Sequence, residues 1–184
     1  MESAGSLAFE HPIPAGSLRA VQWRGRAIPL ADLRGRDLTD ADLCSVDARL
    51  ADFRGANLRM ANLSYADLRC ANFEQADLSG ANLEGARLCS ARLVRANVSG
   101  AFLRFADLTC ADLRLCYLDH ADLERASLAS ADLLGASLRF TNLSHALLFG
   151  AAVARANFTG ANLTGANTDG VDFSRAVMTD IVRS

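Results

Sequence analysis

The chain has 184 residues, about half of them hydrophobic, a net charge of −2 and five cysteines. All 19 cationic residues are arginine, and they are outnumbered by acids, which argues against direct nucleic-acid binding because phosphate contacts need a surplus of cations. The apolar residues never form the run of roughly 20 that a membrane span needs, so one domain with no membrane segment is expected.

Met1–Ser6 is neither basic nor apolar, so no secretory signal is visible and the cytoplasm, with reduced cysteines, is the expected compartment. Residues 1–30 read as an N-terminal cap and a degenerate first coil. Ile13, Leu18, Trp23 and Ile28 fall five apart, in phase with Leu33. Leu7 and Phe9 are expected to help cover the open end. Pro12, Pro14 and Pro29 are the only prolines, and a residue without an N–H blocks edge pairing where it stands.

From Ala31 to Asp180 the chain repeats every five residues without a slip: ADFRG, ANLRM, ANLSY, ADLRC, ANFEQ, ADLSG, ANLEG. Counting from Leu33 to Met178, the 30 repeat centres are 21 Leu, four Phe, two Val and one each of Met, Ala and Thr. Two residues before the centre, 25 of the 30 positions are Ala. A strict short period marks a solenoid, in which each unit packs on its neighbours. On a helix, centres five apart would rotate by roughly 140° per step and spiral around every side. A closed coil instead lets each Leu and Ala point inward, with Asp, Asn, Ser and Arg toward water.

These A(D/N)LXX units resemble the pentapeptide repeat family over about 150 of the 184 residues. The resemblance implies an all-β, right-handed quadrilateral β-helix over 31–180, with 181–184 as a C-terminal tail. One repeat per side makes a 20-residue coil, so the repeats amount to about 7.5 to 8 coils, a rod of roughly 36 Å at a strand spacing of about 4.8 Å. Phe53 and Phe73 should then stack, and Leu43, Leu63, Leu83, Leu103, Leu123, Leu143 and Leu163 should form one ladder. The resemblance also implies a function. Some members resemble duplex DNA in width and charge, bind DNA gyrase or topoisomerase IV, and confer resistance to quinolones or other topoisomerase poisons.

The four sides take their names from their repeat centres: the first from Leu33, the second from Leu38, the third from Leu43 and the fourth from Ala48. The second and third together carry a net charge of −5, while the other two cancel. If a topoisomerase is the partner, this acidic edge is the expected contact, with Asp77, Glu84, Asp119, Asp122 and Glu124 crowding its middle coils. Five net charges imitate DNA weakly, since a duplex of that length carries about 20. The competing class is a scaffold that docks another protein through apolar residues. Phe102, Phe105, Leu115, Tyr117, Leu134, Phe140, Leu147 and Phe149 all take outward positions; Phe102 and Phe105 are the expected anchors, because exposed apolar clusters mark contact surfaces.

Catalysis has no visible machinery. Cys44, Cys70, Cys89, Cys110 and Cys116 show no CxxC or CxxH spacing. Cys70, Cys89 and Cys110 approach one another on the fourth side, where small-residue packing is a stronger reading than a disulfide or metal. Cys116 replaces an inward Ala and belongs to the core. His120 and His145 sit at separate corners with no nucleophile beside them. No phosphate loop is present, so neither metal nor cofactor is expected. Toward the C-terminus the pattern decays at Thr168, leaving a tail that could cap the last coil or pair two copies into a homodimer.

Overall fold

The structure is a computed structural model that describes residue 13 and residues 16–183. Leu7, Phe9, Pro12 and Pro14 lie outside the described residues. Among those described the backbone is a right-handed quadrilateral β-helix with no helix. Parallel bridges join residues 20 apart, from Gln22 with Asp42 to Asn162 with Val182. Each side contributes a single bridge residue rather than a long strand, because a turn interrupts the chain every fifth position.

The repeat Ala51–Gly55 shows why five residues suffice. Ala51 N–H donates to Ala48 O (3.1 Å) and closes the preceding turn. Asp52 N–H donates back to Ala31 O (2.8 Å); Phe53 and Gly55 donate forward to Asn72 O and Glu74 O (2.7 and 3.0 Å). The fourth N–H, that of Arg54, is accepted by the Asp52 carboxylate at 3.1 Å. An Asx bond of this kind recurs with asparagine, as in Ser64 N–H to Asn62 Oδ1 (3.2 Å) and Ser144 N–H to Asn142 Oδ1 (3.2 Å). Most second positions are Asp or Asn because a short side chain ending in an oxygen reaches a donor two residues on. There it is a structural acceptor, half-buried in most repeats.

Asn142 illustrates the load on such a residue: it also accepts from Ser144 Oγ (2.8 Å) and donates Nδ2 to Asp122 Oδ1 (2.9 Å). Asn142→Ala is expected to destabilise the protein by about 1–2 kcal/mol, read as a lower urea midpoint; an unchanged midpoint would refute this role.

The fifth residue of each repeat is left-handed from Ala20 to Gly170, and, with Asp180, 21 left-handed residues among those described are not glycine. This is the third residue of a turn whose geometry requires positive φ there. Glycine is therefore not demanded by φ alone. It also occurs where the preceding coil places a large side chain over it: a Cβ on Gly80 would meet Met60 Sδ at 2.6 Å, and one on Gly85 would meet the Tyr65 ring at 2.7 Å.

The interior is filled by the centres and the inward alanines, nearly all fully buried. The Leu43-to-Leu163 ladder is present, and Phe53 stacks on Phe73 with centroids 4.7 Å apart and planes 4° from parallel. Cys116 and Thr141, which replace inward alanines, donate to Ala96 O (3.3 Å) and Leu118 O (2.8 Å), so neither leaves a buried polar atom unpaired. Leu18, Trp23 and Ile28 are buried, and Leu18 N–H already donates to Asp37 O (2.8 Å).

Near the C-terminus the ladder slips. Arg155 N–H donates to Arg175 O, one residue beyond the phase kept elsewhere; Asp172 makes no bridge, and Arg175 is not left-handed. Phe173 packs edge-on to Phe158 at 5.7 Å, and Phe173, Met178 and Ile181 are only half-buried.

Candidate protein-binding surface

The five acids and two aromatics singled out from the sequence fall on two adjoining sides, and the structure interleaves them. On the third side, successive coils place Asn82, Phe102, Asp122 and Asn142 in one bridged column. Beside it run Glu84, Arg104 and Glu124, and at the corner Gly85, Phe105, Arg125 and His145. Glu84, Asp122 and Glu124 therefore share one surface with Phe102 and Phe105, rather than forming a separate edge. Asp77 and Asp119 lie around the corner on the second side.

Four of the five acids are engaged. Glu124 pairs with Arg104 (3.1 Å) and Arg125 (3.6 Å). Asp122 Oδ1 accepts from Glu124 N–H (3.1 Å) and Asn142 Nδ2 (2.9 Å). Asp119 accepts from Ser137 Oγ and from Arg139 N–H (3.0 Å). Asp77 accepts from Ser79 N–H (3.0 Å) and Asn97 Nδ2 (3.1 Å), with Arg59 at 3.8 Å. Arg19 and Arg24 of the first coil pair with Asp40 and Asp42, each at 3.1 Å, and offset two more charges of the acidic edge. All five candidate acids are half-buried rather than solvent-directed. No periodicity argument could have shown this, because it depends on which residues stack 20 positions away.

The aromatics are the exposed part. Phe102 is 53% and Phe105 49% exposed. Arg104 and Arg125 lie 5.7 and 5.9 Å from the Phe105 ring centre, within range of a cation–π contact. Around the corner Tyr117 is exposed, and His120 stacks on Phe140 at 5.2 Å. Aromatic and arginine side chains within a polar surround are the composition of protein-interface centres.

The cysteines do not assemble. All five are free, and no group of His, Cys, Asp and Glu among the described residues could hold a metal. Cys89 donates Sγ–H to Asp107 (2.8 Å), and burial with that carboxylate pushes its thiol up to about 11, which disfavours the reactive thiolate.

Where Arg stands two residues after Asp, the pair closes within its own repeat: Arg34 on Asp32, Arg49 on Asp47, Arg54 on Asp52, Arg69 on Asp67 and Arg114 on Asp112, all at 2.6–2.8 Å. The arginine hydrogen bonds hold each carboxyl low, Asp32 at about 2. These carboxyls are lowered relative to the unfolded chain, so their stabilisation is complete above the unfolded pKa and is lost on acidification. The thermal midpoint should fall as pH drops from about 4 toward about 2, with no contribution from these pairs to any pH dependence near neutrality. A flat midpoint across that window would contradict the assignment.

The Pentapeptide repeats family model matches in eight copies, within residues 30–64, 56–93, 66–104, 90–124, 116–151 and 156–180. No curated protein sequence matches. Among solved structures, HetL, a pentapeptide repeat protein involved in heterocyst differentiation regulation from the cyanobacterium Nostoc sp. strain PCC 7120, is 28% identical. That match covers 91% of this chain and 90% of HetL, with a TM-score of 0.52. Trypsin-treated QnrB1, a plasmid-mediated fluoroquinolone resistance protein, is 21% identical over 90% of both chains, with a TM-score of 0.45.

Proposed function

Because this chain belongs to the pentapeptide repeat family, whose members are generally structural or protein-interaction proteins, we propose that it works by binding another protein. The observation that carries this reading is the third side, where exposed Phe102 and Phe105 sit among Glu84, Arg104, Asp122, Glu124 and Arg125. A filled interior supports the same reading over catalysis, since active sites are built in clefts.

The specific partner proposed is a type II topoisomerase, DNA gyrase or topoisomerase IV, with protection against a topoisomerase poison as the outcome. The rod and its acidic second and third sides support this choice, although bound arginines leave little of DNA's charge density. The surface works as an aromatic patch with a charged rim more than as an imitation of phosphate. A gyrase supercoiling assay with and without a quinolone tests it. Inhibition of supercoiling or relief of poisoning at micromolar protein is expected; neither effect would remove the topoisomerase and leave a scaffold for another protein. The half-buried Phe173, Met178 and Ile181, with exposed Val177 and Val182, favour self-association at the C-terminal coil. Sedimentation equilibrium should then return twice the 19.6 kDa chain mass, and a monomer would refute it.

A further inference from the structure

The first side changes character halfway along the rod. In its early coils Arg34 and Arg54 are locked on Asp32 and Asp52. Further on, Arg92 takes the place of the Asp, while Val94 and Leu134 take the place of the arginine. The result is a groove of about 460 Å³ in which Arg92, Arg95, Arg114 and Arg155 converge on an apolar floor of Val94, Leu115 and Leu134, with Glu74 the only acid in its lining. Gly135 makes the depression: it has no side chain, and Leu115 leans across it, 2.9 Å from where a Cβ would stand. Arg92 is held by Glu74 (3.4 Å), and Arg114 by Asp112 (2.7 Å) and Asp132 (3.8 Å). Among the described residues, Arg95 and Arg155 have no carboxylate within ion-pair distance, and both are exposed at the corner.

We infer that this groove binds an extended segment of another polypeptide with two acidic side chains flanking an aliphatic one. Arg95 and Arg155 stand three coils apart, about 14 Å along the rod at about 4.8 Å per coil. Four steps of extended chain at about 3.4 Å each cover the same distance, so carboxylates at positions one and five meet the two unpaired arginines. In an extended chain position three points the same way, which sets an aliphatic side chain on Leu115 and Leu134. A helix about 10 Å across would overfill this volume along that length. The site is on the opposite face of the rod from the third side, so it stands whether or not that surface binds a topoisomerase.

The test is fluorescence anisotropy with a labelled peptide Gly-Glu-Ser-Leu-Ser-Glu-Gly and the full chain. The double variant Arg95→Gln, Arg155→Gln should lose at least about tenfold in affinity, as should the peptide with serine in place of leucine. Gln75 already occupies this corner column at φ 60°, so the variant should keep the wild-type circular dichroism spectrum. Arg34→Gln with Arg54→Gln, on the same side outside the groove, should bind as the parent does. Absence of saturable binding would overturn the proposal. So would indifference to the leucine, or displacement of the peptide by tripolyphosphate or an oligonucleotide at equal concentration, since either marks a general anion surface.

Discussion

Phe73→Ala is expected to lower the unfolding free energy by about 3–5 kcal/mol. The ring is fully buried and stacked on Phe53 within a single-file interior, so its loss leaves a cavity that the coils above and below cannot close without breaking their ladder bonds. Because each coil contacts only its neighbours, the effect should appear as an early transition of the middle coils rather than a uniform shift. Denaturant titration followed by circular dichroism reads it directly. Ala76→Leu, which adds volume at a position 1% exposed, should also be damaging, by about 1–3 kcal/mol, because the narrow interior has no slack. A stability loss below about 1 kcal/mol for Phe73→Ala would mean that the stacked interior is not what holds the rod.

Phe102→Ala combined with Phe105→Ala is expected to reduce affinity for gyrase by at least about 30-fold, the scale of losing one interface hot spot. Both rings are about half exposed and lie outside the core, so the fold should survive. The triple variant Asp119→Asn, Asp122→Asn, Glu124→Gln keeps the side-chain oxygens that accept the backbone N–H groups of Glu124 and Arg139. It should therefore remain folded and lose affinity mainly at low salt, where unscreened charge steers association. The two sets share one surface, so the salt dependence, more than the size of either loss, separates their roles. Full binding by the aromatic double variant would remove the third side as the contact.

Much of the fold was legible in the residues because a five-residue period with an inward Ala–Leu pair admits few packings. The Phe53–Phe73 stack and the Leu43–Leu163 ladder come from counting by 20 once four sides are assumed. The candidate surface was less legible. Counting placed Asp119, Asp122 and Glu124 outward, but outward is not free: the Asx bond ties Asp122 to its own turn, while Arg104 and Arg125 hold Glu124. Arginines of the first coil, Arg19 and Arg24, reach acids that the charge pattern of the repeats alone leaves unmatched. The slip at Arg175 has no counterpart in the spacing, which stays in phase to Met178.

The sequence by itself determined which residues face inward, because burial of a small and a large apolar side chain every five residues is a local rule repeated without exception of phase. The spacing alone does not explain the oxygen at the second residue of most repeats; the structure shows it accepting the fourth N–H, as Asp52 does from Arg54. Only the tertiary structure decided what the outward residues are worth. Side-chain reach between coils spaced about 4.8 Å apart sets whether an outward arginine finds an acid on the next coil, as Arg104 finds Glu124, or, like Arg95 and Arg155, is left with its charge unpaired.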